Sequence, residues 1–550
     1  MSGIVRWLVA TAVTGVIVVV LSGAWLGWRL RQGPLPTPML DRFVAGAFTG
    51  RDPDLRVEFA GTVLAWPEGR LPQIHVLGLR LSRADGTVLA EFPELSVRPR
   101  LRALLRGRLA IGAVGLTGVK LAITRDSQGR LSLAGMKPDD SAPDAASPLS
   151  WLTDTGDPEA PNAYLHRVTI RDAEIALDDR VSTSKWRATK ANLELRRRPD
   201  RIEAELRAEL SVRFAAAVLR LPLQANATAT FGELATFETI QFRATATGGR
   251  FDRGVEGKPA LAFRAVEVEG GFRGENDTLE LRKIRLRAGG ATIEGSGTIA
   301  GTSREAKFGA KVTAFPVGEL DLVWPPQVAE PARRWVLGNL RDGMITKADF
   351  TLHHPGSDRA PTIFRLNAAI SGMTVDYLAP LEPVRALEAS LQLDEKRLDA
   401  TITSGAVGAL RMTRGRVGID LAAQPVAAAV DADIEGPTDD LLGFLDSPPL
   451  GYPSRFGVPA GGVGGQTVGH VELRFPLAGE KTAASLAVEA RADLTGDAQG
   501  TFLASVAAGE LRNFEIQRYR SERNDLSAAI ERDGDGGYRV GISGAKLDLQ

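Results

Sequence analysis

The segment from Ile202 to Phe214 alternates strictly between apolar side chains at even positions and charged or hydroxyl side chains at odd positions. Side chains of a β-strand point to opposite faces with a period of two, so the segment predicts one strand about 43 Å long with an apolar and a polar face. A chain built this way must either cover the apolar face or bind something apolar there. The positions that would line the apolar wall are Ile202, Leu206, Leu210, Val212 and Phe214.

Similar alternation recurs along the chain, and a second clear example includes Leu473 and Phe475. Glycine- and aspartate-bearing turns separate most of these segments, which favours antiparallel pairing between sequence neighbours. Two short helices interrupt the pattern, at residues 331–340 and 437–445. The predicted fold class is mostly β: an N-terminal transmembrane helix, then an elongated, curved antiparallel β-sheet with a few short helices.

The N-terminus carries an uncharged apolar run that is bracketed by Trp7 and Trp28. Residues 7–28 would span about 33 Å as a helix, enough for a hydrocarbon core of about 30 Å, and tryptophan at both ends is typical of an aromatic belt. We interpret the run as an uncleaved signal anchor. The alternative is a cleaved signal peptide, although the apolar stretch exceeds the usual length and no clear A-x-A cleavage site follows it.

The flanking charges do not settle the orientation of this helix. Arg29 and Arg31 follow the run and Arg6 precedes it, which leans against export of the body, but long domains translocate largely regardless of such charges. The predicted domains are a cytoplasmic tail at 1–6, the anchor at 7–28, a first β region at 29–135 and a second at 163–550. Between the β regions, residues 136–162 are rich in Pro, Asp, Ser and Ala and predict a flexible linker.

The composition offers little chemistry. Lysine plus arginine equals aspartate plus glutamate, at 67 each, so no basic field indicates nucleic acid. There are no cysteines, the five histidines lack metal-ligand spacing, and no nucleotide or hydrolase motif lies in a suitable context. We therefore expect no enzyme activity, no cofactor and no metal site.

Two interpretations of the apolar face stay open on physical grounds. The face could pack against another sheet or helices, as in a sandwich. Alternatively, a single long sheet could curl into an open trough that suits acyl chains, because each buried CH₂ contributes about 0.8 kcal/mol. In the second case Ile202, Leu206, Leu210, Val212, Phe214, Leu473 and Phe475 would line a lipid-binding groove.

Several segments, in order along the chain, resemble the AsmA-like superfamily of Gram-negative envelope proteins, and most closely its YhdP-like branch. The N-terminal third resembles the AsmA-type start. The more specific segments are Trp324-Pro325-Pro326, the L-x-x-G-x-I return at Leu340, Gly343 and Ile345, the tyrosine–proline segment at 375–384, the Gly-Pro helix start at 434–442 and the strand end at 469–477.

The resemblance implies an inner-membrane anchor, a periplasmic β-groove and movement of phospholipid toward the outer membrane, and it favours export of the body. It also implies outer-membrane or envelope protein partners. The related TamB-like proteins suggest an alternative, a scaffold that adds its edge strands to outer-membrane barrel precursors. Members of the family are usually longer, so we expect the native protein to continue beyond residue 550.

Overall fold

The computed structural model describes residues 21, 24–25, 27–41, 55–66, 72–83, 88–100, 110–126, 131–133, 164–180, 183–215, 217–231, 237–254, 260–301, 303–322, 324, 330–357, 360–448, 450–455, 461–462, 464–477, 487–496, 498–508, 510–533 and 537–546. The predicted linker at 136–162, and most of the predicted membrane helix including Trp7, lie outside these residues. Trp28 is exposed. In the described residues, the helices are too short or too polar to cross a membrane.

The chain divides into two compact units, Met1–Gly289 and Gly290–Gln550. The first unit contains these strands: β1 Leu35–Pro36, β2 Leu55–Glu58, β3 Gly61–Ala65, β4 Gln73–Arg83, β5 Val88–Pro99, β6 Ile111–Thr117, β7 Lys120–Arg125, β8 Leu131–Leu133, β9 Arg167–Asp179, β10 Ser184–Arg197, β11 Arg201–Phe214, β12 Ala217–Phe231, β13 Phe237–Asp252, β14 Leu261–Arg273 and β15 Thr278–Ala288.

From β9 to β15 each strand pairs antiparallel with the next, as the turns predict. The strand predicted at 202–214 is confirmed as β11. Two pairings differ from the prediction: β6 and β7 both lie parallel to β9, with Val114 opposite Val168 and Leu121 opposite Ile175. A parallel neighbour needs a long crossover, and the connection between Arg125 and Arg167 supplies one.

The second unit contains β16 Ala291–Ala300, β17 Glu305–Pro316, a 3₁₀-helix Val317–Leu322, α1 Glu330–Asn339, β18 Leu340–Arg341, β19 Met344–Pro355, β20 Ile363–Val375, β21 Val384–Asp394, β22 Arg397–Val407, β23 Leu410–Asp420, β24 Ala427–Pro437, α2 Thr438–Asp446, α3 Tyr452–Arg455, β25 Gln466–Pro476, β26 Ala487–Thr495, β27 Gln499–Ala507, β28 Glu510–Arg520, β29 Asp525–Arg532 and β30 Tyr538–Lys546.

In this unit the long strands again pair antiparallel in chain order, from β16 to β17, β19 and onward to β30. The two predicted helices are confirmed as α1 and α2. Both units are thus mostly strand, with few helices in the described residues, which confirms the β class predicted from the alternation.

Candidate functional site

The register across β10–β13 places apolar side chains side by side on one face of the first unit. On β11, Leu210 lies opposite Ala188 of β10 and Leu221 of β12. One pair further along, Val212 lies opposite Trp186 and Leu219. Cross-strand pairs of this kind stabilise a sheet. They also turn the period-two pattern of each strand into one continuous surface, called here the apolar face of unit 1.

This face continues across β13, β14 and β15. Ala225 pairs with Ala244, Ala244 with Val268, and Val268 with Ile284, so one apolar row crosses four strands. Large side chains such as Phe242 and Phe251 lie on the same face, since they pair with Ala227 and Leu219. The apolar surface is therefore several strands wide.

The part of this face nearest β9 is covered. Leu206 packs against a buried cluster of Val119, Ala173, Ala191 and Ala208, and Ile202 is buried with Leu165 and Val168. In the described chain, no hydrophobic cluster of this unit has a buried member on β12–β15. The large apolar side chains of those strands, including Leu221, Leu223, Phe242 and Ile284, are only half-buried. The face is thus covered near Ile202 and Leu206, and it is exposed at Trp186 and Phe214. Across β12–β15 its large side chains are half-buried, although the small side chains of Ala229 and Ala246 are buried.

The five predicted positions on β11 share this face but differ in exposure. Ile202 and Val212 are 6% and 1% exposed, whereas Phe214 is 42% exposed. Leu206 and Leu210 are half-buried. The structure thus brings the five onto one wall, which is exposed at Phe214. Binding of lipid by these residues stays a prediction.

The other two predicted positions lie in the second unit, on β25. Phe475 is 6% exposed and pairs with Ala428, and Leu473 pairs with Val430. Phe475 belongs to a buried cluster with Leu378, Leu381, Ile419 and Leu450, and Phe444 and Leu445 of α2 pack against it. Leu378 and Leu381, together with Phe444, Leu445 and Leu450, therefore cover the apolar face here, and Phe475 is part of the core.

The 3₁₀-helix covers a second region of the same unit. Its first residue, Val317, is 3% exposed and packs with Ile370, Met373 and Leu387. The backbone N–H of Val317 donates a hydrogen bond to the carbonyl oxygen of Gly343 at 3.2 Å. Gly343 has a φ of +69°, and a Cβ there would lie 2.6 Å from the Cα of Met373. Only glycine fits this approach of two backbones, which places the covering helix.

Sequence reasoning missed both covers. Val317, Leu378 and Leu450 lie in short segments without period two or 3.6, so no local pattern marks them. Phe444 and Leu445 lie on the predicted helix at 437–445, but the sequence does not show that this helix packs on the sheet. The proline steps at Pro316 and Pro380 and the helix that begins after Pro437 are the signals that could have suggested chain turning back over the sheet.

The opposite, polar face of the first unit is an array of ion pairs. Arg243 bonds Glu267 at 3.1 Å, Lys283 bonds Glu267 at 2.8 Å, and Lys190 bonds Glu209 at 2.8 Å. The hydrogen bond that Lys283 donates lowers the pKa of the Glu267 carboxyl. Exposed pairs of this kind contribute little to stability, and the array is that of a solvated face.

A histidine on the polar face of the second unit has the same character. His470 Nδ1 lies 2.8 Å from Asp433 Oδ1, and this hydrogen bond raises the pKa of His470. Arg414 also binds Asp433. Within the described residues, no group of three histidine or acidic side chains has the arrangement of a metal site.

Comparison with known proteins identifies one family. Residues 273–497 match the family described as YhdP protein. No curated protein and no solved structure matches the chain significantly. The resemblance to the YhdP-like branch is thus confirmed over residues 273–497, which run from the last residue of β14 to just beyond β26. The half-buried apolar face of β12–β14 lies almost entirely before this match.

Proposed function

We propose that this chain, which matches the YhdP family over residues 273–497, binds glycerophospholipid on its apolar surface and conducts it between the inner and outer membranes. In this proposal a helix at residues 7–28 anchors the chain in the inner membrane, and the bulk of the chain lies in the periplasm. The lipid it delivers supports outer-membrane homeostasis. The observation that carries the proposal is the half-buried apolar face of β12–β15.

An apolar face that is several strands wide and only half-buried is unusual on a protein without a partner, and it indicates a binding site. Acyl chains suit this one, because their contribution grows by about 0.8 kcal/mol for each buried CH₂ and needs no specific polar contacts. At about 3.3 Å per residue, the fifteen residues of β12 span roughly 50 Å, so the face offers a long continuous track.

The proposal predicts that Leu221→Asp reduces bound phospholipid by about tenfold. Leu221 lies in the half-buried part of the face, opposite Leu210, and is part of no buried cluster in the described residues. Replacing it removes a contact worth about 1.5–3 kcal/mol and puts a carboxylate where an acyl chain would lie. The measurement is mass spectrometry of phospholipid that co-purifies with the full chain in a mild non-ionic detergent.

Gln224→Asp is the matched control, because Gln224 is exposed on the polar face of the same strand, opposite Arg207. It adds the same carboxylate and should leave bound lipid unchanged. Circular dichroism should show the same β spectrum for both variants. Equal lipid content in the wild type and Leu221→Asp, or no phospholipid on the wild type, would count against an acyl-chain site on this face.

A second candidate function is an assembly factor for outer-membrane proteins that works by strand addition. Strand addition pairs an incoming segment with backbone groups of an existing sheet. All nine residues of β30 are exposed, so this strand is accessible to a crosslinking probe. A photocrosslinker at Arg539 should then capture barrel precursors from a lipid-free protein. Capture of none, with lipid bound, favours the transport proposal.

A further inference from the structure

The polar face of the first unit changes character at one end of β10–β13. There, Lys185 of β10 lies directly opposite Arg213 of β11, and Arg220 of β12 lies directly opposite Arg250 of β13. All four side chains are exposed. Because β11 and β12 are neighbours, with Ser211 opposite Arg220, the four cations form one patch. Like charges directly opposite each other on paired strands are destabilising.

The patch differs from other parts of this face, where several cations are neutralised by carboxylates. Arg243 contacts both Glu267 and Glu269, and Arg207 bonds Glu205. None of the four patch cations forms an ion pair with a carboxylate that the structure describes.

The carboxylates closest to the patch in the register are engaged elsewhere or lie at its border. Asp252 Oδ1 accepts a hydrogen bond from the backbone N–H of Gly254 at 3.1 Å, and Glu174 pairs with Arg187 at 3.6 Å. Asp178 of β9 lies opposite Lys185, and Asp252 keeps its negative charge two residues from Arg250 on β13, so these two carboxylates can offset two charges of the four. The patch thus retains positive charge that an external anion could neutralise.

Exposed aromatic side chains occupy the other face of the sheet at the same strand ends. Trp186 follows Lys185, Phe214 follows Arg213, and the two rings are 37% and 42% exposed. The indole Nε1 of Trp186 donates to the hydroxyl of Ser184 at 2.7 Å. Each of the four cations lies within three residues of the end of its strand. At 3.3 Å per residue, this places every one of them at most about 10 Å from that end. This arrangement suits a boundary between acyl chains and phosphates. The aromatic rings lie on the apolar side of the sheet, and the long cationic side chains lie on the polar side.

We propose that this rim, formed by Lys185, Arg213, Arg220 and Arg250 with Trp186 and Phe214, binds the phosphate head group of an anionic phospholipid. The inference rests on the proposed function, because the acyl chains of the same lipid lie on the apolar face of unit 1 beside Phe214. Guanidinium groups bind phosphate oxygens with two parallel hydrogen bonds, and one bound phosphate relieves the repulsion between the facing arginines. The site therefore selects anionic over zwitterionic head groups.

The test compares two double variants of the full chain in non-ionic detergent, with native mass spectrometry as the binding measurement. Arg220→Gln with Arg250→Gln removes half of the patch, and Arg207→Gln with Arg243→Gln removes the same charge from the neutralised region. The probes are dioctanoylphosphatidylglycerol, dioctanoylphosphatidylcholine and inorganic phosphate. We expect the first double variant to bind the phosphatidylglycerol about tenfold more weakly and the phosphatidylcholine nearly as well as the wild type does. The control variant should bind both lipids as the wild type does.

Two further measurements accompany the binding experiment: the thermal midpoint checks that the variants fold, and the salt dependence of the wild type checks that charge drives the binding. Removing the facing cations should leave the thermal midpoint unchanged or raise it, because a repulsion is lost. In the wild type, the affinity for phosphatidylglycerol should fall as sodium chloride rises from about 50 to 500 mM, because salt screens exposed charges. The affinity for phosphatidylcholine should not fall.

The outcomes separate this inference from the proposed function. Equal binding of both lipids by the wild type and the variants would overturn the head-group site and leave the apolar-face proposal standing. Binding of neither lipid would overturn both. Inorganic phosphate that displaces the phosphatidylglycerol at equal concentration would identify free phosphate as the ligand and overturn the lipid assignment.

Discussion

Replacing Phe475 by alanine should lower the local free energy of unfolding by about 3–5 kcal/mol. Phe475 is 6% exposed and touches a cluster built from β23, β24, the 376–383 loop and the segment after α2. The truncation would remove a ring from a closed site and leave a cavity. Hydrogen exchange measured by mass spectrometry, on peptides between residues 410 and 477, reports this loss without requiring the two units to unfold together.

Phe214→Ala is the matched control for that experiment. The two phenylalanines occupy equivalent places in an alternating strand, but Phe214 is 42% exposed, so its loss should cost about 1 kcal/mol or less. Protection should change little on peptides from β10–β12. If both variants lost equally little hydrogen-exchange protection, the segments over β25 would be only loosely packed. Phe475 would then belong to an open wall.

Gly343→Ala should be the second large effect, a destabilisation of at least about 1–3 kcal/mol from the left-handed backbone alone. The added Cβ would also lie 2.6 Å from the Cα and 2.7 Å from the N of Met373, atoms that cannot move without shifting β20. Since Gly343 accepts the hydrogen bond of Val317, the substitution should loosen the 3₁₀-helix over Ile370 and Leu387. Thermal unfolding gives the magnitude, and hydrogen exchange of residues 317–322 gives the location.

Gly338→Ala tests whether such an effect is specific. Gly338 lies inside α1, and a Cβ there meets nothing within 4 Å. Alanine should therefore stabilise the helix by about 0.5–1 kcal/mol. A destabilised Gly338→Ala variant, or an unchanged Gly343→Ala variant, would contradict the backbone contact seen at Gly343.

The strands could be predicted from the sequence because period two is a local property. β11 agrees with its predicted bounds within one residue, α1 has Pro331 as its second residue, and α2 begins directly after Pro437. Which strands become neighbours is not local. β6 and β7 read as ordinary antiparallel candidates, and only the long connection before β9 allows their parallel pairing.

The same limit applies to the candidate site. Phe214 and Phe475 have the same alternating context, so the sequence cannot tell an open wall from a covered one. The difference arises from Leu378, Leu381 and Leu450, which cover Phe475 and lie in segments that show no hydrophobic period. The basic rim is hidden for a related reason: Lys185 and Arg213 look like any charged face until the register sets them opposite each other.

Most long strands pair with the strand before them in the chain, and this order has a consequence for how the chain is made. From β9 to β15, and from β19 to β30, every completed strand presents an edge on which the next can form. The chain can thus fold in the order in which it emerges. One step must wait: β9 can join β6 and β7 only after the whole stretch between Arg125 and Arg167 has appeared, and closing that loop carries an entropic cost of about 3 kcal/mol or more. That junction is where assembly of the first unit would pause, with the edge of β7 exposed in the meantime.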